Sequence, residues 1–228
     1  MAETRQHPIV TVDIVLLTLK GDQLCTALVK RDKQPHQGQW TLPGGWVHPD
    51  EDQDDHAAAS RILRDKAGLT SPYLEQLCTF ANQGRDARGW SVSIAQYALV
   101  PFDAVAHVHN DYFKWEAVDA IRSLPFDHLK ILGVAVDRVR SKTLYSSLPV
   151  HLMPETFTLG DLQKVYESLL RAQLDKRTFR RRIEELGVVE PIAGEMSEGA
   201  HRPAKLYRVR PGMPKRLSTA ESNLGVKA

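Results

Sequence analysis

Hydrophobic and polar positions follow two periodicities in the first part of the chain. Apolar runs bounded by turn residues predict strands at 9–19, 24–30, 73–80 and 91–100. A 3.6-residue periodicity from about Asp52 to Ala67 predicts a helix that ends at Gly68, and a further helix is predicted at 127–140. Strands interleaved with helices in this order predict an α+β domain built on a mixed sheet.

The pattern changes near residue 150. Serine and proline residues in the stretch 143–157 are typical of a linker. We therefore expect a first domain at 7–150, a second domain at 151–212 and a flexible tail at 213–228.

Two helices and a hairpin are predicted in the second domain. A capping-box pattern at Thr158 and Asp161 begins one helix, and Asp175 can cap another helix that ends at Gly187. Strand patterns follow at 188–192 and 204–209. A helix, a turn, a basic helix and a hairpin are the components of a winged helix-turn-helix domain, in that order.

The chain has an ordinary globular composition, with 42% hydrophobic and 25% charged residues. It has neither an apolar run long enough to cross a bilayer nor a signal-peptide pattern at its start, so we expect a cytoplasmic location. Residues 1–150 contain 16 Lys and Arg against 18 Asp and Glu, whereas residues 151–228 contain 14 against 10. The positive second domain indicates either an anionic partner or a solvated basic surface.

Residues 40–69 resemble the Nudix box of nucleoside-diphosphate hydrolases. That box reads G-x5-E-x7-R-E-U-x-E-E-x-G-U, where U is an aliphatic residue. The matching residues are Gly45, Glu51, Arg61, Leu63, Gly68 and Leu69. Nine residues, rather than seven, separate Glu51 from Arg61. The resemblance implies a Nudix α/β/α sandwich with a mixed sheet for the first domain.

The metal-binding positions of the box are altered. The family has three acidic residues on one helix face, and this chain has Ile62, Asp65 and Lys66 there. Mg²⁺ needs several hard oxygen ligands, and an ammonium group repels it, so we expect no metal site, no catalytic residues and at most residual hydrolysis. The acidic run around Glu51 can stabilise a helix N-terminus, and Glu51 can alternatively pair with Arg61.

Seven residues are candidates for binding a diphosphate-containing effector. Glycines let backbone N–H groups approach a phosphate, arginines match phosphate oxygens, and a tryptophan can stack on a base. The candidates are Arg31, Gly44, Gly45, Trp46, Glu51, Arg85 and Arg88. The alternatives are ordinary surface charge for the arginines and core packing for the tryptophan.

The second helix of the second domain is the candidate DNA reader. With Phe179 and Ile183 facing inward, Arg177 and Arg181 face outward and can contact base edges, while neighbouring cations can hold phosphates. The DNA-binding candidates are Lys176, Arg177, Thr178, Arg180, Arg181, Arg202 and Lys205. An exposed basic helix without a ligand is the alternative.

Together the two halves resemble the Nudix-related transcriptional regulators of NAD metabolism, over nearly the whole chain. The markers are DEDQDDHAAASRILRDKAGL, FTLGDLQKVYESLL, LDKRTFRRRIEELG and HRPAKLYRV. The resemblance implies a bacterial, nucleoid-associated homodimeric repressor that binds operator DNA, responds to ADP-ribose or a related NAD-derived nucleotide, and needs no cofactor. Two alternatives stay open: an active ADP-ribose pyrophosphatase with a basic accessory domain, and a binding module without DNA specificity.

Overall fold

The structure, a computed structural model, describes residues 7–69, 73–197 and 203–211. Its helices are α1 Asp55–Ala67, α2 Phe102–Val105, α3 His128–Tyr145, α4 Leu159–Leu170 and α5 Lys176–Leu186. Its strands are β1 Ile9–Lys20, β2 Gln23–Lys30, β3 Trp40–Thr41, β4 Gly44–Trp46, β5 Tyr73–Asn82, β6 Ser91–Leu99, β7 Phe113–Ala117, β8 Phe157–Thr158, β9 Val189–Met196 and β10 Lys205–Val209. Short 3-10 helices lie at Val118–Ala120 and Leu148–Leu152.

The chain divides into two compact units. Among the described residues, the first contains those at 7–17, 25–99 and 107–135, and the second contains those at 18–24, 100–106 and 136–211. The domain boundary at residue 150 stays a prediction, and the tail at 213–228 lies outside the described residues. Within the described part of the chain, no helix has the length and apolarity that a membrane span requires.

A seven-stranded sheet is the centre of the first unit. Its strand order is β3-β2-β1-β6-β5, with β4 paired to β1 and β7 paired to β2. β1 runs parallel to β6, whereas the β2–β3, β2–β7, β1–β4 and β5–β6 pairs are antiparallel, which confirms the predicted mixed sheet. The run from Ile14 to Leu17 on β1 is completely buried, as is typical of a central strand that is covered on both faces.

α1 buries the apolar face that its periodicity predicts. The buried residues are Ala58, Ala59, Ile62, Leu63 and Ala67. The helix begins at Asp55, later than the predicted start at Asp52, because the Asp54 carboxylate caps it by accepting a hydrogen bond from the Ala57 amide at 2.7 Å. Gly68 ends the helix in the left-handed conformation, with φ 63°.

The interpretation of residues 143–157 as a linker is wrong. α3 continues to Tyr145, and the Thr143 hydroxyl donates to the Val139 carbonyl at 2.7 Å. The 3-10 helix that follows buries Leu148 and Val150. Apolar residues between the serines and prolines therefore make this stretch part of a packed core.

The helices of the second unit begin at the predicted caps. Thr158 and Asp161 form a reciprocal capping box at the start of α4. The Asp175 carboxylate accepts a hydrogen bond from the Thr178 amide at 2.9 Å and caps α5. Gly187 ends α5 in the left-handed conformation. These local signals were sufficient to predict both helices.

An apolar core joins α4 and α5 to an antiparallel sheet of order β8-β10-β9. Tyr166 lies in this core with its ring 5.2 Å from Phe179, edge to face, and its hydroxyl donates to the Ser146 carbonyl at 3.0 Å. Burial raises the pKa of Tyr166, which keeps the hydroxyl protonated as a donor. Helix, turn, helix and hairpin therefore form the predicted winged helix-turn-helix arrangement.

Candidate functional site

A cavity of about 540 Å³ lies in the first unit, between the β3–β4 turn, α1 and the loop that precedes β6. It collects most of the effector-binding candidates: Arg31, Gly44, Gly45, Trp46, Arg85 and Arg88. Glu51 is not among the lining residues; it is exposed, and its carboxylate lies 3.2 Å from His48 Nδ1 and 3.8 Å from Arg61 Nε. The effector-binding roles of all seven candidates stay predictions.

Two glycines let the β3–β4 turn pack closely against β1 and α1 at one wall of the cavity. Gly44 pairs with Asp13 on β1, and a Cβ atom at Gly44 would lie only 2.2 Å from Asp13 Oδ1. A Cβ atom at Gly45 would lie 3.3 Å from Ile62 Cγ1 on α1. Any side chain at Gly44 would therefore displace the turn or the carboxylate beneath it.

A buried ionic network lies beneath this turn. The Arg85 guanidinium donates to Asp127 Oδ2 at 3.1 Å, Asp127 Oδ1 at 3.0 Å, Asp13 Oδ2 at 3.1 Å and Ser91 Oγ at 3.3 Å. The Ser93 hydroxyl also donates to Asp13 Oδ2, at 2.6 Å. Arg85 was proposed from sequence as a phosphate ligand, but most of its donors are occupied by these protein groups.

The same network fixes the proton position on His128. The Leu42 amide donates to His128 Nδ1 at 3.1 Å, which leaves the proton on Nε2, and Nε2 lies 3.5 Å from Asp13 Oδ1. Burial raises the pKa of Asp13, but His128, Ser93 and Arg85 outweigh it and hold that pKa well below its usual range. Asp13 is therefore a buried, ionised support for the turn.

Arg88 and Trp46 lie next to each other in the lining of the cavity. The Arg88 guanidinium lies 5.5 Å from the centre of the Trp46 ring and pairs with Asp86 at 2.6 Å. Burial raises the pKa of Asp86, but hydrogen bonds from Arg88 outweigh it and leave the pKa lowered. Trp46 is 54% exposed, so its ring is available to stack on a ligand and is not a core residue.

Arg31 is held by an aromatic ring that sequence reasoning missed. Its guanidinium lies 4.9 Å from the Phe126 ring centre, and its Nε donates to the Pro35 carbonyl at 2.7 Å. The His36 ring also packs edge to face against the Phe126 ring, with 4.8 Å between the ring centres. Burial and then the nearby charge of Arg88 lower the pKa of Arg31. Nothing in the local sequence around Phe126 indicates this contact.

Two acidic side chains pair with Arg61 in the Nudix-like loop. The expected pair with Glu51 is present at 3.8 Å, and Asp52 forms a closer bidentate pair, with 2.8 Å to Nε and 2.7 Å to Nη2. Asp52 is buried, and the hydrogen bond from Arg61 is the main cause that lowers its pKa to about 2. Asp52 also accepts from the His48 amide at 2.8 Å, so its carboxylate is not available to cap α1.

The altered metal-binding positions do not fit Mg²⁺. Ile62 is buried next to Gly45, while Asp65 and Lys66 line the cavity as an exposed carboxylate and an exposed ammonium group. In the residues that the structure describes, no group of three or more His, Cys, Asp or Glu side chains is placed to hold a metal ion. One carboxylate beside a cation is a poor donor set for a hard divalent ion.

α5 presents a basic outer face. Phe179 and Ile183 are buried, and the exposed residues on the other side include four DNA-binding candidates: Lys176, Arg177, Arg180 and Arg181. Thr178 is half-buried, and its hydroxyl donates to Asp175 Oδ1 at 2.9 Å within the helix cap. Lys205 is exposed on β10, and Arg202 lies outside the described residues. The DNA-binding roles of these residues stay predictions.

Comparisons with known proteins agree with this architecture. Residues 7–141 match the NUDIX domain family, and residues 149–209 match the NrtR DNA-binding winged helix domain. The ADPR responsive transcriptional repressor NtrR of Acinetobacter baylyi is 42% identical over 205 residues, which are 88% of this chain and 82% of that protein.

Two solved structures from Shewanella oneidensis are also similar. NrtR complexed with a 27mer DNA has a TM-score of 0.82 and 38% identity, over 89% of this chain and 94% of that chain. The NUDIX domain of that NrtR, complexed with ADP ribose, has a TM-score of 0.55 and 35% identity, over 61% of this chain and 93% of that chain. These similarities confirm the expected Nudix fold followed by a winged helix. The chain belongs to the NrtR family of transcriptional regulators, in which a Nudix domain is joined to a DNA-binding winged helix domain.

Proposed function

We propose that this protein is a transcriptional repressor of NAD biosynthesis or salvage genes, and that its Nudix domain binds ADP-ribose, or a related NAD-derived nucleotide, as the effector. The observation that carries the proposal is the combination of a cationic, glycine-walled cavity in the first unit with an exposed basic helix in the second. The similar proteins bind or respond to these two partners: NrtR of Shewanella oneidensis is complexed with DNA, and its NUDIX domain with ADP ribose.

The cavity suits a nucleoside diphosphate. Its volume of about 540 Å³ lies within the range that small-molecule sites usually have, about 300 to 1,000 Å³. In this proposal the backbone of Gly44 and Gly45 and the guanidinium of Arg31 contact the diphosphate, and Trp46 stacks on the base; all four residues line the cavity, and the Trp46 ring is exposed.

The donor set favours binding without hydrolysis. Nudix hydrolysis uses metal ions to polarise the diphosphate and activate water, and the positions of Ile62 and Lys66 do not supply the carboxylates for this. We propose that the protein has no metal cofactor and no catalytic residues.

DNA recognition is assigned to α5 and the hairpin. In this proposal Arg177 and Arg181 read base edges, and Lys176, Arg180 and Lys205 hold phosphates, in the way that basic recognition helices do. The exposure of all five side chains supports these roles. The palindromic operators of such domains require a homodimer, and the protein would act in the nucleoid of the bacterial cytoplasm.

One pair of assays tests the proposal. The full chain is expected to shift promoter DNA of NAD-metabolism genes in a gel, and ADP-ribose is expected to release it. In parallel, ADP-ribose hydrolysis with Mg²⁺ is expected to be negligible; turnover at ordinary enzyme rates, on the order of 1 to 1,000 per second, would favour the pyrophosphatase alternative. Equal binding to random DNA would favour the module without DNA specificity.

A further inference from the structure

Most arginines of the cavity are already paired with carboxylates. Arg61 is paired with Asp52 at 2.7 Å, and Arg88 is paired with Asp86 at 2.6 Å. The third, Arg85, is shared between two buried aspartates at 3.0 and 3.1 Å. Their charges are balanced within the protein, so they add little net attraction for a diphosphate.

Lys66 differs from these arginines. It lies on α1, lines the cavity and is exposed, and it makes no ion pair with any residue that the structure describes. The neighbouring carboxylate of Asp65 is directed to Arg64, with 3.4 Å between Oδ1 and Nε. The charge of Lys66 is therefore available to a ligand.

Lys66 occupies a position of α1 that corresponds to part of the Nudix box. It is one of the three positions on α1, with Ile62 and Asp65, that correspond to the acidic residues of the Nudix box. Ile62 packs beside Gly45, which places this helix face next to the glycine turn. A positive charge at Lys66 thus lies on the face where a Nudix hydrolase holds its metal-binding carboxylates.

We infer that Lys66 binds the diphosphate of the effector directly and neutralises its charge, so that effector binding requires no divalent cation. This inference rests on the proposed function of the cavity. The ammonium group has three donors on a flexible stem and can follow the phosphate oxygens. Unlike a metal ion, an ammonium group cannot coordinate a water molecule and lower its pKa. Lys66 therefore attracts the diphosphate without activating a nucleophile.

Calorimetry of ADP-ribose binding to the full chain tests the inference. Wild-type affinity is expected to be the same in EDTA and in excess Mg²⁺. K66Q is expected to bind about tenfold more weakly, which is the usual loss for one charge-assisted hydrogen bond, and K66R is expected to recover part of it. K130Q is the matched control, because it makes the same substitution at an exposed lysine that does not line the cavity.

The outcomes separate this inference from the proposed function. Wild-type binding that needs Mg²⁺, or equal affinities for wild type and K66Q, would overturn the role of Lys66 while leaving the effector site in place. If the wild-type chain binds ADP-ribose in neither condition, the proposed effector fails and the role of Lys66 with it. A thermal melt of each variant verifies folding, since K66Q alters an exposed side chain and is expected to unfold at the wild-type temperature.

Discussion

The two cationic regions of this protein use arginine in opposite ways. In the cavity, Arg85 is buried between two aspartates, and its charge is used in ion pairs within the protein. On α5, Arg177 and Arg180 are exposed, and Arg181 has only a loose pair with Glu185 at 3.7 Å. The number of arginines in a segment is therefore a poor guide to its affinity for phosphate, because a buried carboxylate can neutralise each of them.

The largest effect is expected when the buried arginine is removed. R85M leaves Asp13 and Asp127 without their shared cation, and the loss of one partner from a buried ionic network costs about 3 to 5 kcal/mol of unfolding free energy. Urea unfolding of the full chain measures this loss. R64M, which breaks an exposed pair, is the control and is expected to cost less than about 1 kcal/mol. Equal losses in the two variants would contradict the distinction.

The exposed arginines are expected to affect DNA and not stability. Each of the substitutions in R177A/R181A should cost about 1 to 3 kcal/mol of operator binding, so the double variant should bind no operator at protein concentrations that saturate wild type. A mobility shift measures this. ADP-ribose affinity and the melting temperature are expected to be unchanged, and K142A/K164A serves as the charge-matched control. Unchanged operator affinity in the double variant would remove α5 from the interface.

A side chain in the glycine turn is expected to reduce both stability and effector affinity. G44A places a Cβ atom against Asp13 Oδ1, and such overpacking costs about 1 to 3 kcal/mol of unfolding free energy. Because the turn must move, ADP-ribose affinity should fall with stability. G133A is the control, since a Cβ there meets open space. If G44A is as stable as wild type, the close approach is not a constraint.

The smallest effect is expected in the stability of the protein at low pH. Asp52 has a pKa lowered to about 2 from 3.8 by its bond to Arg61, so its contribution to stability is complete above pH 3.8 and is lost as the pH falls towards 2. D52N, which lacks this titration, is expected to lose less stability than wild type over that range. Urea midpoints at pH 4 and at successively lower pH values measure the difference. Parallel pH curves would show that the pair does not contribute to acid sensitivity.

Sequence was informative where the signals are local. The caps at Thr158 and Asp175, the end of α5 at Gly187 and its buried Phe179 all follow from residues within a few positions of one another. The exposure of the arginines on α5 could be predicted because an amphipathic helix that buries one face leaves the opposite face to solvent.

The cavity was predictable in outline only. Gly44, Gly45 and Trp46 were found from the motif, but the partners of Arg85 lie 72 and 42 positions away in the chain, and no periodicity connects them. Sequence predicted that Glu51 can pair with Arg61, and that pair is present at 3.8 Å, but the closer bidentate partner is the adjacent Asp52. A shift by one residue within an acidic run has no sequence signature.

The contact between Gly44 and Asp13 also restricts which residues position 44 can accept. With only 2.2 Å available for a Cβ atom, a side chain at position 44 requires that Asp13 moves or is replaced. Asparagine at position 13 has the same shape as aspartate and would not relieve the overlap, whereas a shorter residue would, but it would remove one of the two carboxylates that pair with Arg85 and the acceptor of the Ser93 hydroxyl. A homologue that carries alanine at position 44 is therefore expected to carry a residue shorter than aspartate at position 13, so that two sites distant in the chain change together.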